Sequence, residues 1–285
     1  MPARLLEGKP IAERIKEQLK KEISSLGIVP VLSSIQVGED ASSIAYVKAQ
    51  AKTAESLGIE YRLTKLLESN SQEELTSLIN NLNSDKEING LIVQMPLPKQ
   101  IDNKTVSFSI NPLKDVEGMH TENLGRILLG MPKIIPCTAA AVVELLEESS
   151  VRLYGREVVI VGHSEIVGKP LCLLLLNKFA TTTVCHIATS EAGKLIEHTR
   201  GADILIVAVG KPNVVKGDWI KEGAIVIDVG INKVNDKIAG DVEFEKASQK
   251  ASYITPVPGG VGPLTTTILM RNLVEAVKLQ ITNHK

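Results

Sequence analysis

The run Val158-Val-Ile-Val-Gly162-His-Ser-Glu-Ile-Val-Gly168-Lys-Pro170 reads as an apolar strand, a glycine turn and the start of a helix. Glycine at 162 allows a tight turn without a Cβ clash. A helix starting near Val167 would aim free N–H groups and the positive end of its dipole at a phosphate. The pattern is not G-x-G-x-x-G, so alone it also fits an ordinary strand-to-helix turn. The end of the next strand selects the dinucleotide: an acid there holds the adenosine ribose, a base accepts a 2′-phosphate. Cys185-His186-Ile187-Ala188 offers no acid, and His163 and His186 are the nearby groups that carry partial positive charge. NAD and NADP both stay open on this ground. Cys137, Cys172 and Cys185 have neither CxxC nor metal-ligand spacing, and their odd number argues against a disulfide framework. No carboxylate–histidine cluster suggests a metal.

These residues need a scaffold, and the hydrophobic pattern outlines one. Ile11, Ile15, Leu19 and Ile23 recur every four residues, the apolar stripe of a helix. Leu32–Val37 predicts a strand, and Ser42 to Leu57 a helix that Gly58 ends. Ser71 and Glu74 have capping-box spacing ahead of Leu75, Leu78, Ile79 and Leu82. Gly90–Met95 is a strand stopped by Pro96 and Pro98, and a loop-rich stretch leads to a helix from about Thr138 to Glu148. Beyond it, Val158–Val161, Thr182–Cys185, Ile204–Val209 and Ile225–Val229 are β-rich runs with helical segments between several of them. That is the pattern of parallel strands with crossover helices. A rigid Pro-Gly loop, 256–263, precedes a last helix with Leu269, Leu273 and Val277 on one face.

Composition narrows the class. A chain of 285 residues has room for about two domains. Its 32 basic and 33 acidic residues give a net charge of −1, which removes the footprint of a dedicated nucleic-acid binder. Three Phe, four Tyr and one Trp leave little for a base-stacking surface. The longest purely apolar run, Leu171–Leu176, is far short of the ~18 residues of a membrane span. Met1-Pro-Ala-Arg leads into a charged amphipathic segment and not a signal peptide. The expectation is a soluble cytoplasmic protein acting on small molecules.

Seven stretches in order carry a resemblance: Gly90-Leu-Ile-Val-Gln-Met-Pro-Leu-Pro98, Pro112-Leu-Lys-Asp-Val-Glu-Gly118, Pro136-Cys-Thr138, the Gly162–Pro170 turn, Asp228-Val-Gly-Ile-Asn232, Gly240-Asp-Val242 and Thr255-Pro-Val-Pro-Gly-Gly-Val-Gly-Pro-Leu-Thr265. Together they resemble the bifunctional methylenetetrahydrofolate dehydrogenase/cyclohydrolase family, from Leu5 to the final helix. The resemblance implies two α/β domains around a cleft, the second a Rossmann-like domain with a parallel sheet. The folate-binding catalytic domain would take about residues 1–140 with the helix 264–285, and the NAD(P)-binding domain about 141–263. It further implies NADP or NAD as cofactor, a tetrahydrofolate derivative as substrate and a homodimer. The reaction would be oxidation of 5,10-methylenetetrahydrofolate to the methenyl form, followed in bifunctional members by hydrolysis to 10-formyltetrahydrofolate. Tyr46 and Gln94 would line the folate cleft, with Asp115, Glu117 and the loop residues Pro258, Gly259 and Gly260. Gly162, His163, Ser164, Ile187, Ile231 and Thr265 would surround the dinucleotide.

Three departures from the family pattern bear on mechanism. The family's catalytic helix pairs a tyrosine, here Tyr46, with a lysine four residues on; this chain has Gln50 there. Positions i and i+4 share a helix face, whereas Lys48 and Lys52 lie about 200° and 240° round the helix from Tyr46. Glu117 stands where the family usually has aspartate, and Ile187 where many members have a hydroxyl residue for the 2′-phosphate. Hydride removal needs placement of the donor carbon, while hydrolysis needs protons moved. Glutamine cannot titrate. The expectation is therefore a working dehydrogenase with weak or absent cyclohydrolase and a relaxed or NAD-leaning cofactor specificity. The alternatives are a full bifunctional enzyme, a silent folate- or nucleotide-binding relative, and a dehydrogenase of another substrate. Without the motif, Tyr46 is an ordinary helix tyrosine, Gln50 a solvated helix residue, Glu117 a loop carboxylate and Cys137 a buried structural thiol. His120 and His198 read as surface or core histidines.

Overall fold

The structure, a computed structural model, describes residues 2–235 and 237–283. Its strands are β1 (Arg4–Leu5), β2 (Val31–Val37), β3 (Glu60–Leu66), β4 (Gly90–Val93), β5 (Glu157–Val161), β6 (Thr181–Cys185), β7 (Ile204–Val207), β8 (Ile225–Asp228), β9 (Asn232–Val234), β10 (Lys237–Ala239) and β11 (Tyr253–Ile254). The helices are α1 (Gly8–Ser25), α2 (Ala41–Ser56), α3 (Gln72–Ser84), α4 (Asn103–Ser109), α5 (Thr121–Leu128), α6 (Cys137–Glu148), α7 (Gly168–Leu176), α8 (Ile187–Glu191), α9 (Leu195–Gly201), α10 (Phe244–Lys250) and α11 (Gly262–Asn283). The chain divides into two compact units, Met1–Glu13 with Thr138–Thr265, and Arg14–Cys137 with Thr266–Lys285. The first residues join the later unit because β1 pairs with β11 and the Gly8 N–H donates to the Gly259 carbonyl at 2.9 Å.

One unit is built on a three-stranded parallel sheet in the order β3-β2-β4. Central β2 is buried along its whole length, and its polar Ser33, Ser34 and Gln36 are buried with it. The Ser71–Glu74 capping box forms as the spacing predicts, and Leu75 and Ile79 bury the face behind it. Helix α2 starts one residue earlier than predicted because the Asp40 carboxylate accepts from the Ser42 and Ser43 N–H groups.

The other unit carries a six-stranded parallel sheet in the order β1-β11-β8-β7-β5-β6. Continuous Val and Ile runs suit strands covered on both faces, and β7 and β8 are buried throughout. Both end earlier than the sequence suggests, and two aspartates explain it. Asp241 takes the N–H groups of Val209 and Gly210 at 2.7 and 2.9 Å. Asp228 accepts from Gly230, Asp241 and Val242. Counted from β5, the order β6-β5-β7-β8-β11 is 2-1-3-4-5, so the direction of winding reverses between β5 and β7. Open α/β sheets bind ligands outside the carboxyl ends of strands at such a reversal. Two X-Pro bonds, Met95–Pro96 and Val257–Pro258, are cis.

Candidate active site

In the unit of the three-stranded sheet, α2 presents two sequence-selected residues one turn apart. Tyr46 is 47% exposed, while Gln50 is only 5% exposed. The solvated reading of Gln50 is thus wrong: it shares the buried side of α2 with Ser43, Val47 and Ala54. Its Oε1 accepts from Gln94 Nε2 at 2.8 Å and from the Tyr61 hydroxyl at 3.0 Å. Gln94, just past β4, also donates to Ser34 Oγ at 3.0 Å. Gln50 and Gln94 therefore meet as predicted residues, and Ser34 and Tyr61 join them from β2 and β3. Tyr61 gave no sequence signal, since only the parallel pairing of β2 with β3 brings it to Gln50. Lys48 and Lys52 are exposed, as the helical angles require.

The segment Lys114–Gly118 is fixed by its own charged residues. Lys114 Nζ donates to the carbonyls of Leu82 and Asp85 at 2.9 and 2.6 Å, so this buried ammonium closes the end of α3. Both Asp115 oxygens are used, accepting from Gly118 N–H, His120 N–H and Asn123 Nδ2 at 2.7–3.0 Å. Gly118 sits at φ 73°, and a Cβ there would lie 2.6 Å from the Ile135 carbonyl carbon. Asn272 Nδ2 on α11 ties the carbonyls of Val116 and Ile135 together at 2.8 Å each. Glu117 is half-buried beside it: burial, and secondarily the Asp115 charge, push its pKa up to about 8. Burial foremost, with the Glu117 and Asp115 charges behind it, also raises the Cys137 thiol far above its ordinary value. Its Sγ faces the Val116 carbonyl at 3.7 Å, the setting of a structural thiol and not a nucleophile.

In the other unit the predicted glycine turn opens a cavity. Gly162 has φ 125°, and a Cβ would stand 2.2 Å from the Ala208 carbonyl oxygen, so only glycine lets β5 turn beside the end of β7. The cavity has a volume of about 330 Å³ and lies at the β5/β7 reversal, lined by Gly162, His163, Ser164, Ile187, Ser190 and Lys211 among others. The rings of His163 and His186 are 5.3 Å apart. Lys211 is the basic group that the sequence reading missed. It lies beyond the strand end that reports on the dinucleotide, on a loop whose start, Val209-Gly210, is pinned by Asp241. A second cavity of about 160 Å³ contains Ile231, Pro258, Gly259 and Gly260. Thr265 donates its hydroxyl to the Gly262 carbonyl at 2.8 Å in the first turn of α11. Burial raises the pKa of Asp228, in the wall of this cavity, to about 6 although three N–H groups oppose the rise. Among the described residues no group of three His, Cys, Asp or Glu side chains could hold a metal ion.

A parallel sheet with a glycine turn and cavity at its winding reversal defines a dinucleotide-binding α/β enzyme fold. Comparison with known proteins narrows this further. Residues 6–117 match the family model "Tetrahydrofolate dehydrogenase/cyclohydrolase, catalytic domain", and residues 136–281 match its "NAD(P)-binding domain". The chain belongs to the tetrahydrofolate dehydrogenase/cyclohydrolase family. It is 50% identical over 282 residues to "Bifunctional protein FolD" of Bacillus pumilus, covering 98% of this chain and 99% of that protein. Among solved structures, the bifunctional FolD methylenetetrahydrofolate dehydrogenase/cyclohydrolase of Campylobacter jejuni matches with TM-score 0.94 at 45% identity, over 98% of this chain and 99% of the other. The Trypanosoma brucei enzyme, complexed with NADP cofactor and inhibitor, matches with TM-score 0.94 at 37% identity over 99% of each.

Proposed function

We propose that this protein oxidises 5,10-methylenetetrahydrofolate to 5,10-methenyltetrahydrofolate with NAD(P)+, as an enzyme of one-carbon metabolism in the cytoplasm and as a homodimer. The observation that carries the reading is the glycine-turn cavity at the β5/β7 reversal, in a chain whose other unit holds the buried Gln50–Gln94 pair. Family membership and relatives named for this chemistry support it. Among the described residues no helix is long and apolar enough to cross a membrane.

The residues present fit a dinucleotide. Val167, which caps α7, has no side-chain hydrogen bond at that helix start, and the cavity wall carries cations and hydroxyls. A bound nicotinamide supplies the hydride acceptor. The protein's share is placement. Gly162, His163 and Ser164 hold the pyrophosphate side, and Ile187 offers an apolar face. Ile231 and Thr265 border the dinucleotide, and the Pro258-Gly259-Gly260 loop shares a cavity wall with Ile231. Tyr46, Gln94 and Glu117 hold the folate, and Asp115 acts by fixing the loop that carries Glu117.

For the cofactor, the wall supports NADP. His163, His186 and Lys211 line the cavity and no carboxylate does, which suits a 2′-phosphate better than a ribose diol. This replaces the NAD-leaning expectation drawn from Ile187. Comparing kcat/KM for the two cofactors tests it: NADP is favoured, and Lys211→Met lowers the NADP value by roughly tenfold while leaving NAD nearly unchanged. A native preference for NAD would refute the assignment.

For hydrolysis of the methenyl product, the relatives' names support a full bifunctional enzyme better than the weak or absent activity expected from Gln50. Position 50 carries no titratable group, so water must lose its proton elsewhere. One cuvette containing methylenetetrahydrofolate and each cofactor tests the reading, following methenyl absorbance and its decay. Folate-dependent reduction of NADP+ is the expected result.

A further inference from the structure

We propose that Tyr61 is a positioning residue of the folate site, acting through the Gln50–Gln94 amide pair that its hydroxyl locks in place. The inference rests on the reading of that pair as part of the folate site. It adds a residue on a different strand, outside every motif that marks the family in this sequence.

The network has a definite order. Tyr61 Oη donates to Gln50 Oε1 at 3.0 Å, and Gln94 Nε2 donates to the same oxygen at 2.8 Å. Gln94 Nε2 gives its other proton to Ser34 Oγ at 3.0 Å. Gln50 Nε2 faces Gln94 Oε1 at 3.4 Å. The two side-chain amides thus lie head to tail, and Tyr61 on β3 and Ser34 on β2 flank the same Gln94 Nε2–Gln50 Oε1 bond. Ser34, Gln50 and Gln94 are at most 5% exposed, so water cannot readily replace a missing partner.

Removing the phenol oxygen leaves Gln50 Oε1 with one donor. The Gln50 amide can then rotate about its last torsion, which is broad for a glutamine, and Gln94 loses its fixed counterpart. An amide aimed by its neighbours places a substrate better than one free to turn, and aligned hydride transfer is sensitive to such placement. Burial raises the Tyr61 pKa, with the Ser34 hydroxyl opposing, so the phenol stays a neutral donor at physiological pH.

The test is a double-mutant cycle between Tyr61→Phe and Gln50→Ala, read by the steady-state kinetics of folate-dependent NADP+ reduction. Tyr61→Phe should lower kcat/KM for methylenetetrahydrofolate about tenfold, a difference of about 1.4 kcal/mol, with the KM for the dinucleotide unchanged. In the Gln50→Ala background the same substitution should cost less than about twofold, because the amide it positions is gone. Ser34→Ala removes the other hydroxyl that meets the pair while leaving the Tyr61 phenol in the chain, and should show the same dependence on Gln50. Multiplicative effects, or a loss confined to the unfolding temperature with kcat/KM intact, would overturn the assignment. If the unaltered protein fails to reduce NADP+ with methylenetetrahydrofolate, the folate reading itself falls, which is a separate result.

Discussion

At the scale of single residues, the chain is defined by what a buried amide can and cannot do. Gln50 fixes geometry through two neighbours, Tyr61 and Gln94, but its amide does not titrate at any accessible pH. Its surroundings nevertheless offer oxygens to an ammonium: the Tyr61 hydroxyl and Gln94 Oε1, which already faces position 50. Gln50→Lys should therefore fold, and burial would lower the pKa of the new amine toward the range useful for proton transfer. Methenyltetrahydrofolate hydrolysis should rise by roughly 10²-fold in steady-state assays, the scale of general acid–base assistance. Unchanged hydrolysis would show that the proton passes through another group. Glu117 permits a test without substrate. Its folded pKa of about 8 lies above the ordinary 4.5, so the protonated form favours the fold. That contribution is complete below about 4.5 and is lost as pH rises through 8. The unfolding temperature of the native protein should fall between pH 5.5 and 9 by more than that of Glu117→Gln. Parallel curves would place Glu117 in water.

Elements matter because aspartates after the strands, more than the strands themselves, shape the second site. Asp241 binds the N–H groups that open the Lys211 loop and takes Asn232 Nδ2 at 2.8 Å, and Asp228 gathers the turn at 230 with the segment 241–242. Asp241→Ala leaves this buried anchor missing for the half-buried Val209 and Asn232 donors and for the Gly210 N–H, and should destabilise the protein by about 2–4 kcal/mol. In differential scanning calorimetry it should lower the unfolding temperature, and binding of 2′,5′-ADP should weaken as the Lys211 loop loosens. Intact 2′,5′-ADP affinity would separate the loop from the cofactor. This also shows where the sequence was readable. The alternation of strands and helices, the Ser71–Glu74 cap and the Gly162 turn are local patterns, and local patterns fix local structure. Tyr61, Lys211 and the anchoring function of Lys114 were invisible because each depends on a partner from another element. Gln50 taken without the motif reads as solvated for the same reason: periodicity assigns a face, but only packing against Gln94 and Tyr61 shows that the face is buried.

Over the whole molecule, each of two units carries a parallel sheet, and the proposed reaction asks more for alignment than for acid or base. Relatives named bifunctional belong to the same family, and Gln50 leaves no titratable side chain at its own position. The most direct test of the dehydrogenase assignment follows NADPH and methenyltetrahydrofolate together in one sample of protein, methylenetetrahydrofolate and NADP+. The account predicts that NADPH forms only when the folate is present, in one-to-one proportion to folate oxidised, and faster than NADH does with NAD+. NADP+ left unreduced by the folate, at any enzyme concentration, would contradict it.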